Sequence, residues 1–215
     1  MSELTRDQRR VVEIDHPIVR IRLSVLREQD TDSLHFRQAL HDIAKLMVHE
    51  ITRDLETEPV EIQTPLCPTT GYRLRRPLTL VPILRAGVGL MNGFAEILSE
   101  AAVGYIGLYR DEETLEPECY YSKFPPNLAD SDVILIDPML ATGNSSAEGA
   151  SQLKAAGATR IQFAALIAAP EGIETFHAQH PDIPIYTAKI DEGLNENAYI
   201  VPGLGDAGDR YFGTV

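Results

Sequence analysis

Residues 133–145 read VILIDPMLATGNS: four apolar side chains, then Asp137, then Pro138 and a run of small and hydroxyl-bearing residues. An ionised carboxylate only accepts hydrogen bonds, so one at the end of an apolar strand calls for a partner rich in donors. The vicinal hydroxyls of a sugar are such a partner. Just downstream, Thr142, Gly143, Asn144, Ser145 and Ser146 bring hydroxyls and backbone N–H groups to the mouth of an expected helix. The first amides of a helix lack intrahelical acceptors and sit at its positive end, which suits a phosphate. Gly143 lets the backbone turn close around the anion. A diol acceptor beside a phosphate nest describes a ribose 5-phosphate site. An ordinary strand-to-helix loop capped by a serine accounts for Ser145 but leaves Asp137 without a reason.

Other motifs carry less. Gly203–Gly208, GLGDAG, matches a dinucleotide fingerprint, yet only seven residues follow Gly208, too few for the crossover unit that fingerprint needs. No lysine follows a glycine, so a P-loop is absent from the sequence. His177 and His180, three apart before Pro181, lack a nearby third ligand and read as a solvated helix end. The acidic run from Asp111 to Thr114 reads as an exposed turn as readily as a metal site.

The elements that must position the loop follow from periodicity. In SLHFRQALHDIAKLMVHEITRDL, the residues Phe36, Leu40, Ile43, Met47, Ile51 and Leu55 form one helical stripe, capped by Thr31, Asp32 or Ser33. HPIVRIRLSVLRE reads as a shorter helix before it, and VEIQTPL as an edge strand. From Leu78 onward, LTLVPIL, VGYIGLY, DVILID, IQFAALIA and IPIYTAKI read as strands, separated by helices at NGFAEILSEA, SSAEGASQLKAAG and PEGIETFHAQH. Continuous apolar strands alternating with helices predict an α/β fold, a mostly parallel sheet with helices on both faces. In such folds ligands bind beyond the carboxyl ends of the strands, where the polar loops fall here. The expected organisation is a single domain over 1–215, with N-terminal helices at about 15–56, a core at about 78–191 and a tail at about 192–215.

With 215 residues and 44% apolar content, the chain has material for one globular domain. Its net charge is −13, and only four of its nineteen cations are lysines. So acidic a surface repels DNA and long RNA, whereas a few arginines suffice to grip a small anion by two bonds each. The N-terminus MSELTRDQRR lacks a signal-peptide core, and the apolar stretch from Val88 to Leu108 is broken by Glu96 and Glu100, so no membrane span is expected. Cys67 and Cys119 lack metal spacing and are expected reduced, in a cytoplasmic protein.

Five segments together resemble the uracil branch of the type I phosphoribosyltransferase family: PILRAG at 82–87, YRDEETLEP at 109–117, DPMLATGNS at 137–145, AAPEGI at 168–173 and YIVPGLGDAGDRYFGT at 199–214. The Asp-Pro pair and the GLGDAGD tail are features of that branch, while Asn144 stands where a second glycine is usual and was expected to tolerate left-handed geometry. The resemblance implies transfer of phosphoribosyl from 5-phosphoribosyl 1-diphosphate to uracil, with UMP and diphosphate as products. It implies a small C-terminal base-binding region on a type I phosphoribosyltransferase-like fold. By the same resemblance, Arg85, Arg110, Asp137, Pro138, Met139, Leu140, Ala141, Thr142, Gly143, Asn144, Ser145 and Asp206 would bind the donor, with Asp137 and Arg110 catalytic. Ile200, Gly205, Asp206 and Ala207 would bind uracil. Mg²⁺ is the implied cofactor, with no direct protein ligand assigned, GTP is a candidate activator, and a dimer or larger homo-oligomer is implied. The segment from Arg110 to Pro126 reads as a flexible arm, with Tyr120 and Tyr121 as packing groups. Two other functions stay open: an RNA-binding pyrimidine-operon regulator of the same fold, and a phosphoribosyltransferase for another base.

Overall fold

The computed structural model describes residues 10–110 and 117–214, with Arg110 described through its backbone alone. It begins with strand β1 (Val11–Glu13) and helices α1 (Pro17–Arg27) and α2 (Ser33–Ile51). Pro17 opens α1 behind His16, whose ring accepts from the Ile18 amide, and Asp32 caps α2 by accepting from the His35 amide at 2.9 Å. The strands β2 (Thr57–Gln63) and β3 (Pro68–Leu74) follow, then β4 (Leu78–Leu84), α3 (Gly87–Ile97), β5 (Ala102–Val103), β6 (Tyr105–Arg110) and β7 (Pro117–Lys123). The remainder comprises β8 (Asp132–Ile136), β9 (Met139–Leu140), α4 (Asn144–Ala155), β10 (Arg160–Ala168), α5 (Pro170–Gln179), β11 (Ile185–Ile190), β12 (Gly193–Leu194), β13 (Ile200–Val201) and α6 (Ala207–Phe212).

The main sheet runs β1-β11-β10-β8-β4-β6-β7 and is parallel except at its β6–β7 edge. Strand side chains alternate between two cores, except that the adjacent Leu166 and Ile167 of β10 both join the same one. Leu80, Ile134, Ile136, Ala164 and Leu166 pack with α1, α2, α3 and α6, whereas Val81, Ile83, Val133, Leu135, Phe163 and Ala165 pack with α4 and α5. Each buried Leu, Ile or Phe removed from water contributes roughly 1.5–3 kcal/mol, so both helical layers are firmly seated. That double covering explains why these strands are apolar throughout, and it brings every parallel strand's carboxyl end to one rim.

Four expectations need correction. The edge strand at Val60 begins earlier, at Thr57, and ends at Gln63; with β3 it forms an antiparallel hairpin separate from the main sheet, whose side chains are largely exposed and whose alternation therefore reports no core. Pro117–Lys123 is no free arm, because it pairs with β6 as the sheet's last strand, while 111–116, including the acidic run, lies outside the described residues. His177 and His180 are buried rather than solvated, since α5 packs on α4: His177 Nε2 lies 3.2 Å from the Ile183 carbonyl and His180 Nε2 lies 2.9 Å from that of Ala147. Burial holds His180 below the usual histidine range. The helix drawn at NGFAEILSEA starts earlier, at Gly87, and stops at Ile97, because Leu98 leaves helical geometry.

Candidate active site

The loop after β8 has the geometry its sequence demands. The Pro138 carbonyl accepts from the Leu166 and Ile167 amides, Met139 and Leu140 pair with β10, and the Leu140 carbonyl accepts from Ala169. The loop is thus pinned to the neighbouring strand before it turns. Gly143 makes the turn at φ +85°, and a β-carbon there would stand 2.6 Å from the Gly172 carbonyl, so both conformation and space require glycine. Asn144 is therefore the first helical residue and does not need the left-handed geometry foreseen for it. Among the described residues, no hydrogen bond engages the amides of Thr142, Gly143, Asn144, Ser145 or Ser146, which leaves a row of donors at the positive end of α4.

Asp137 is half-buried at the strand tip and meets only two weak donors, the Met139 amide and the Ser146 hydroxyl, each at 3.4 Å. Desolvation pushes its carboxyl up to about 7, and those two hydrogen bonds offset only part of the shift. A carboxylate so poorly satisfied gains much from a ligand that brings hydroxyl donors.

Arg85 follows β4 across a cis Leu84–Arg85 peptide and is well exposed. Its Nη2 donates to Asp209 Oδ1 at 3.1 Å, and its guanidinium lies over the Phe212 ring. The Thr214 hydroxyl, assisted by Arg85, holds the Asp209 carboxyl below its usual range. An exposed pair of this kind contributes little and yields readily to a more highly charged partner. Arg110 closes β6 opposite Pro117 at the same rim, but its side chain lies outside what is described.

The tail reaches this rim by a different route. Val201–Pro202 is cis, Gly203 and Gly205 adopt φ +62° and +77°, and Asp206 Oδ1 caps α6 by accepting from the Asp209 amide at 2.8 Å. Ile200, Leu204, Ala207 and Tyr211 are core residues, so the tail is anchored as well as displayed.

A cavity of about 350 Å³ joins the two regions, with Met139, Ala141, Thr142, Asn144 and Ser145 on one side and Ile200, Gly205 and Asp206 on the other. Neither Arg85 nor Asp137 is among its lining residues. Pro117, Asn197, Ala198 and Tyr199 are, and the sequence reading missed them. The signal for three of them was the turn NENAY, where Asn195 Oδ1 accepts from the amides of Asn197 and Tyr199 and Ala198 takes φ +61°. Two larger hollows, of about 490 and 670 Å³, lie elsewhere on the molecule. Their charged residues are neutralised in pairs such as Arg160–Asp132, Lys154–Asp182 and Arg73–Glu58.

Among the described residues no three His, Cys, Asp or Glu side chains converge as a cage. Asp206 keeps Oδ2 beyond its cap bond and faces the cavity, and Asp137 stands behind the loop. One or two carboxylates fit an ion that keeps its waters and arrives bound to a diphosphate.

The family model described as uracil phosphoribosyltransferase matches residues 12–214. The chain is 52% identical over 202 residues to the uracil phosphoribosyltransferase of Streptococcus salivarius, and 50% identical over 202 residues to that of Ligilactobacillus salivarius. Each alignment spans 94% of this chain and 97% of that protein. Among solved structures, the AQ2163 protein from Aquifex aeolicus superposes with a TM-score of 0.89 at 34% identity, covering 94% of this chain and 97% of that one. The adenine phosphoribosyl transferase of Trypanosoma brucei, at TM-score 0.59, 16% identity and 96% and 92% coverage, shares the fold.

Proposed function

We infer the division of labour in this site from one premise: the chain belongs to the uracil phosphoribosyltransferase family. It is an enzyme of pyrimidine salvage that transfers phosphoribosyl from 5-phospho-α-D-ribose 1-diphosphate to uracil, giving UMP and diphosphate. In our reading the free amides from Thr142 to Ser146, with the hydroxyls of Thr142 and Ser145, hold the donor's 5-phosphate, on a loop shaped by Pro138, Met139, Leu140 and Ala141. Asp137 accepts from the ribose diol and balances the positive charge that grows on the ring. Arg85 leaves Asp209 for the diphosphate, where Arg110 joins it. Asp206 meets the donor from the tail, and Ile200, Gly205, Asp206 and Ala207 frame uracil. The observation that carries this assignment is that Thr142, Asn144 and Ser145, whose amides are unengaged, line the same cavity as Gly205 and Asp206 of the glycine-rich turn.

As the C1–O bond breaks, its electron pair leaves with the diphosphate, the pair of the uracil N1–H bond forms the new bond to C1, and the N1 proton passes to the departing diphosphate or to water. Preorganised arginines and amides favour the departing charge without reorganising. Asp206 and Asp137 are the carboxylates that would meet a bound Mg²⁺, whose chemistry is to neutralise the diphosphate. Uracil's two carbonyls and N3–H are matched by backbone groups of the turn, so cytosine would bury mismatched polar groups and be rejected.

GTP activation, a cytoplasmic setting and assembly into a dimer or larger also belong to this proposal. Two unpaired cysteines support the second, and the exposed Leu66 and Tyr72 of the β2–β3 hairpin support the third. Among the described residues no helix is long and apolar enough to cross a membrane.

The deciding assay follows nucleotide formation from the donor and Mg²⁺ with uracil, cytosine, orotate and hypoxanthine in parallel, with and without GTP. UMP from uracil alone is expected. Comparable turnover of orotate or a purine overturns the base assignment.

A further inference from the structure

Arg27 ends α1, far in sequence from the cavity and outside its lining. Its Nη2 donates to Asp191 Oδ1 at 2.5 Å and its Nη1 to the Gly203 carbonyl at 3.1 Å. The second Asp191 oxygen accepts from the Gly203 amide at 3.0 Å, which closes a ring through both polar groups of one residue. Asp191 is itself fixed, because its amide donates to the Ala168 carbonyl at the end of β10 and its side chain is 1% exposed. Gly203 tolerates no substitute: at φ +62° a β-carbon would fall 2.0 Å from the Ile200 carbonyl. The next residue is held independently, since Arg210 Nη1 donates to the Leu204 carbonyl at 2.8 Å and to that of Leu26 in α1.

Surface ion pairs contribute little, and a buried pair seldom stabilises more than apolar residues of the same volume would. A largely buried pair whose remaining hydrogen bonds go to the two peptides flanking one glycine of a turn needs a reason beyond stability. From this geometry we propose that Arg27 and Asp191 are positioning residues for uracil recognition. They set the height and tilt of the peptide that leads into Gly205, Asp206 and Ala207, and so the alignment of the backbone groups that read the base. The inference rests on the placement of uracil at that turn. Donor binding is insulated from the pair, because Asp206 is braced separately by its cap on α6 and the Asp137–Ser145 loop is pinned to β10.

The test compares Arg27→Lys with the wild-type chain. Lysine keeps the charge for Asp191 but lacks the planar fork that reaches the Gly203 carbonyl at the same time. The expected result is a folded enzyme whose KM for uracil rises about tenfold or more, with KM for the donor and kcat within about twofold. The double variant Arg27→Gln with Asp191→Asn removes both charges together, leaves no buried ion unpaired, and should show the same split. Each is accompanied by thermal melting. A merely structural role would lower the melting temperature and reduce both substrates' kcat/KM alike, and that outcome overturns the proposal. So does an unchanged uracil KM in either folded variant. Gly205→Ala, strained at φ +77°, serves as the control on the turn itself. If it raises the uracil KM while the Arg27 variants do not, the positioning role fails and the base site stands. If it too is silent, the base lies elsewhere and the base assignment above falls with it.

Discussion

The loop to which we assign the donor and the turn to which we assign the base share one cavity but are built in opposite ways. Residues 137–146 are contiguous, run from a strand into a helix, and carry polar groups that the rest of the chain leaves unengaged. The turn at 203–207 is held by Arg27, Asp191 and Arg210, with Arg27 lying 176 residues from Gly203. One region is a local structure with its binding groups free. The other is a backbone surface whose shape is imposed from across the molecule. Substitutions that reach the donor function should therefore lie within the loop or at its rim, whereas base recognition should be open to change at a distance.

The comparison breaks most sharply at Asp137. Asp137→Asn keeps the shape and removes the charge that, on the proposed assignment, faces the diol and the growing cation, and its kcat/KM should fall by about a hundredfold or more. The same variant should be the more stable protein in alkaline solution. The unfolded carboxyl titrates near 3.8 and the folded one near about 7, so the unfolded state ionises first. Stability is undiminished below the lower value, declines as pH rises through the upper one, and then levels off. Asparagine escapes that loss, and urea titrations at pH 8 should show a gain on the order of 2 kcal/mol that vanishes at acid pH. In the wild type, donor kcat/KM should rise with pH through about 7. A flat profile, or an Asn variant within a few-fold of wild-type turnover, would detach Asp137 from the chemistry.

Arg85 gives the next largest effect. Arg85→Ala should cost roughly 2–3 kcal/mol of transition-state stabilisation, seen in kcat/KM for the donor and much less in KM for uracil. Because its ion pair with Asp209 is exposed, the melting temperature should hardly move. Equal losses for both substrates would count against the division between loop and turn.

The smallest effect sharpens the contrast inside the tail. The Tyr211 hydroxyl sits 3.1 Å from His41 Nε2 and from Asn92 Nδ2, where it ties α6 to α2 and α3. Tyr211→Phe should destabilise by about 1 kcal/mol and lower the melting temperature by roughly 2–4 °C, with both KM values close to wild type. A selective rise in uracil KM would show that α6 also tunes the base site.

The geometry of the loop at 137–146 was legible in the sequence because its determinants are local. A carboxylate at the end of an apolar strand, a glycine and hydroxyls at a helix start are a few residues apart, and the strand and helix periods around them are unambiguous. The parallel sheet was legible for the same reason, since burial on both faces leaves runs such as VILI and IQFAALIA. What escaped included β1, β3 and β7, each an edge or hairpin strand with a neighbour on one side only, and the burial of His177 and His180, which depends on where α4 lies. The cavity residues Asn197, Ala198 and Tyr199 also escaped, because nothing in their types announces a ligand.

The sequence alone determined which groups would be left without partners, since a strand end and a helix start have fixed hydrogen-bonding deficits wherever they occur. Only the tertiary structure decided which deficits are filled. It satisfied both polar groups of Gly203 through Arg27 and Asp191, parked Arg85 on Asp209, and left the amides of Thr142–Ser146 open. Partners so distant along the chain are chosen by packing of the two cores, and no local pattern encodes that choice.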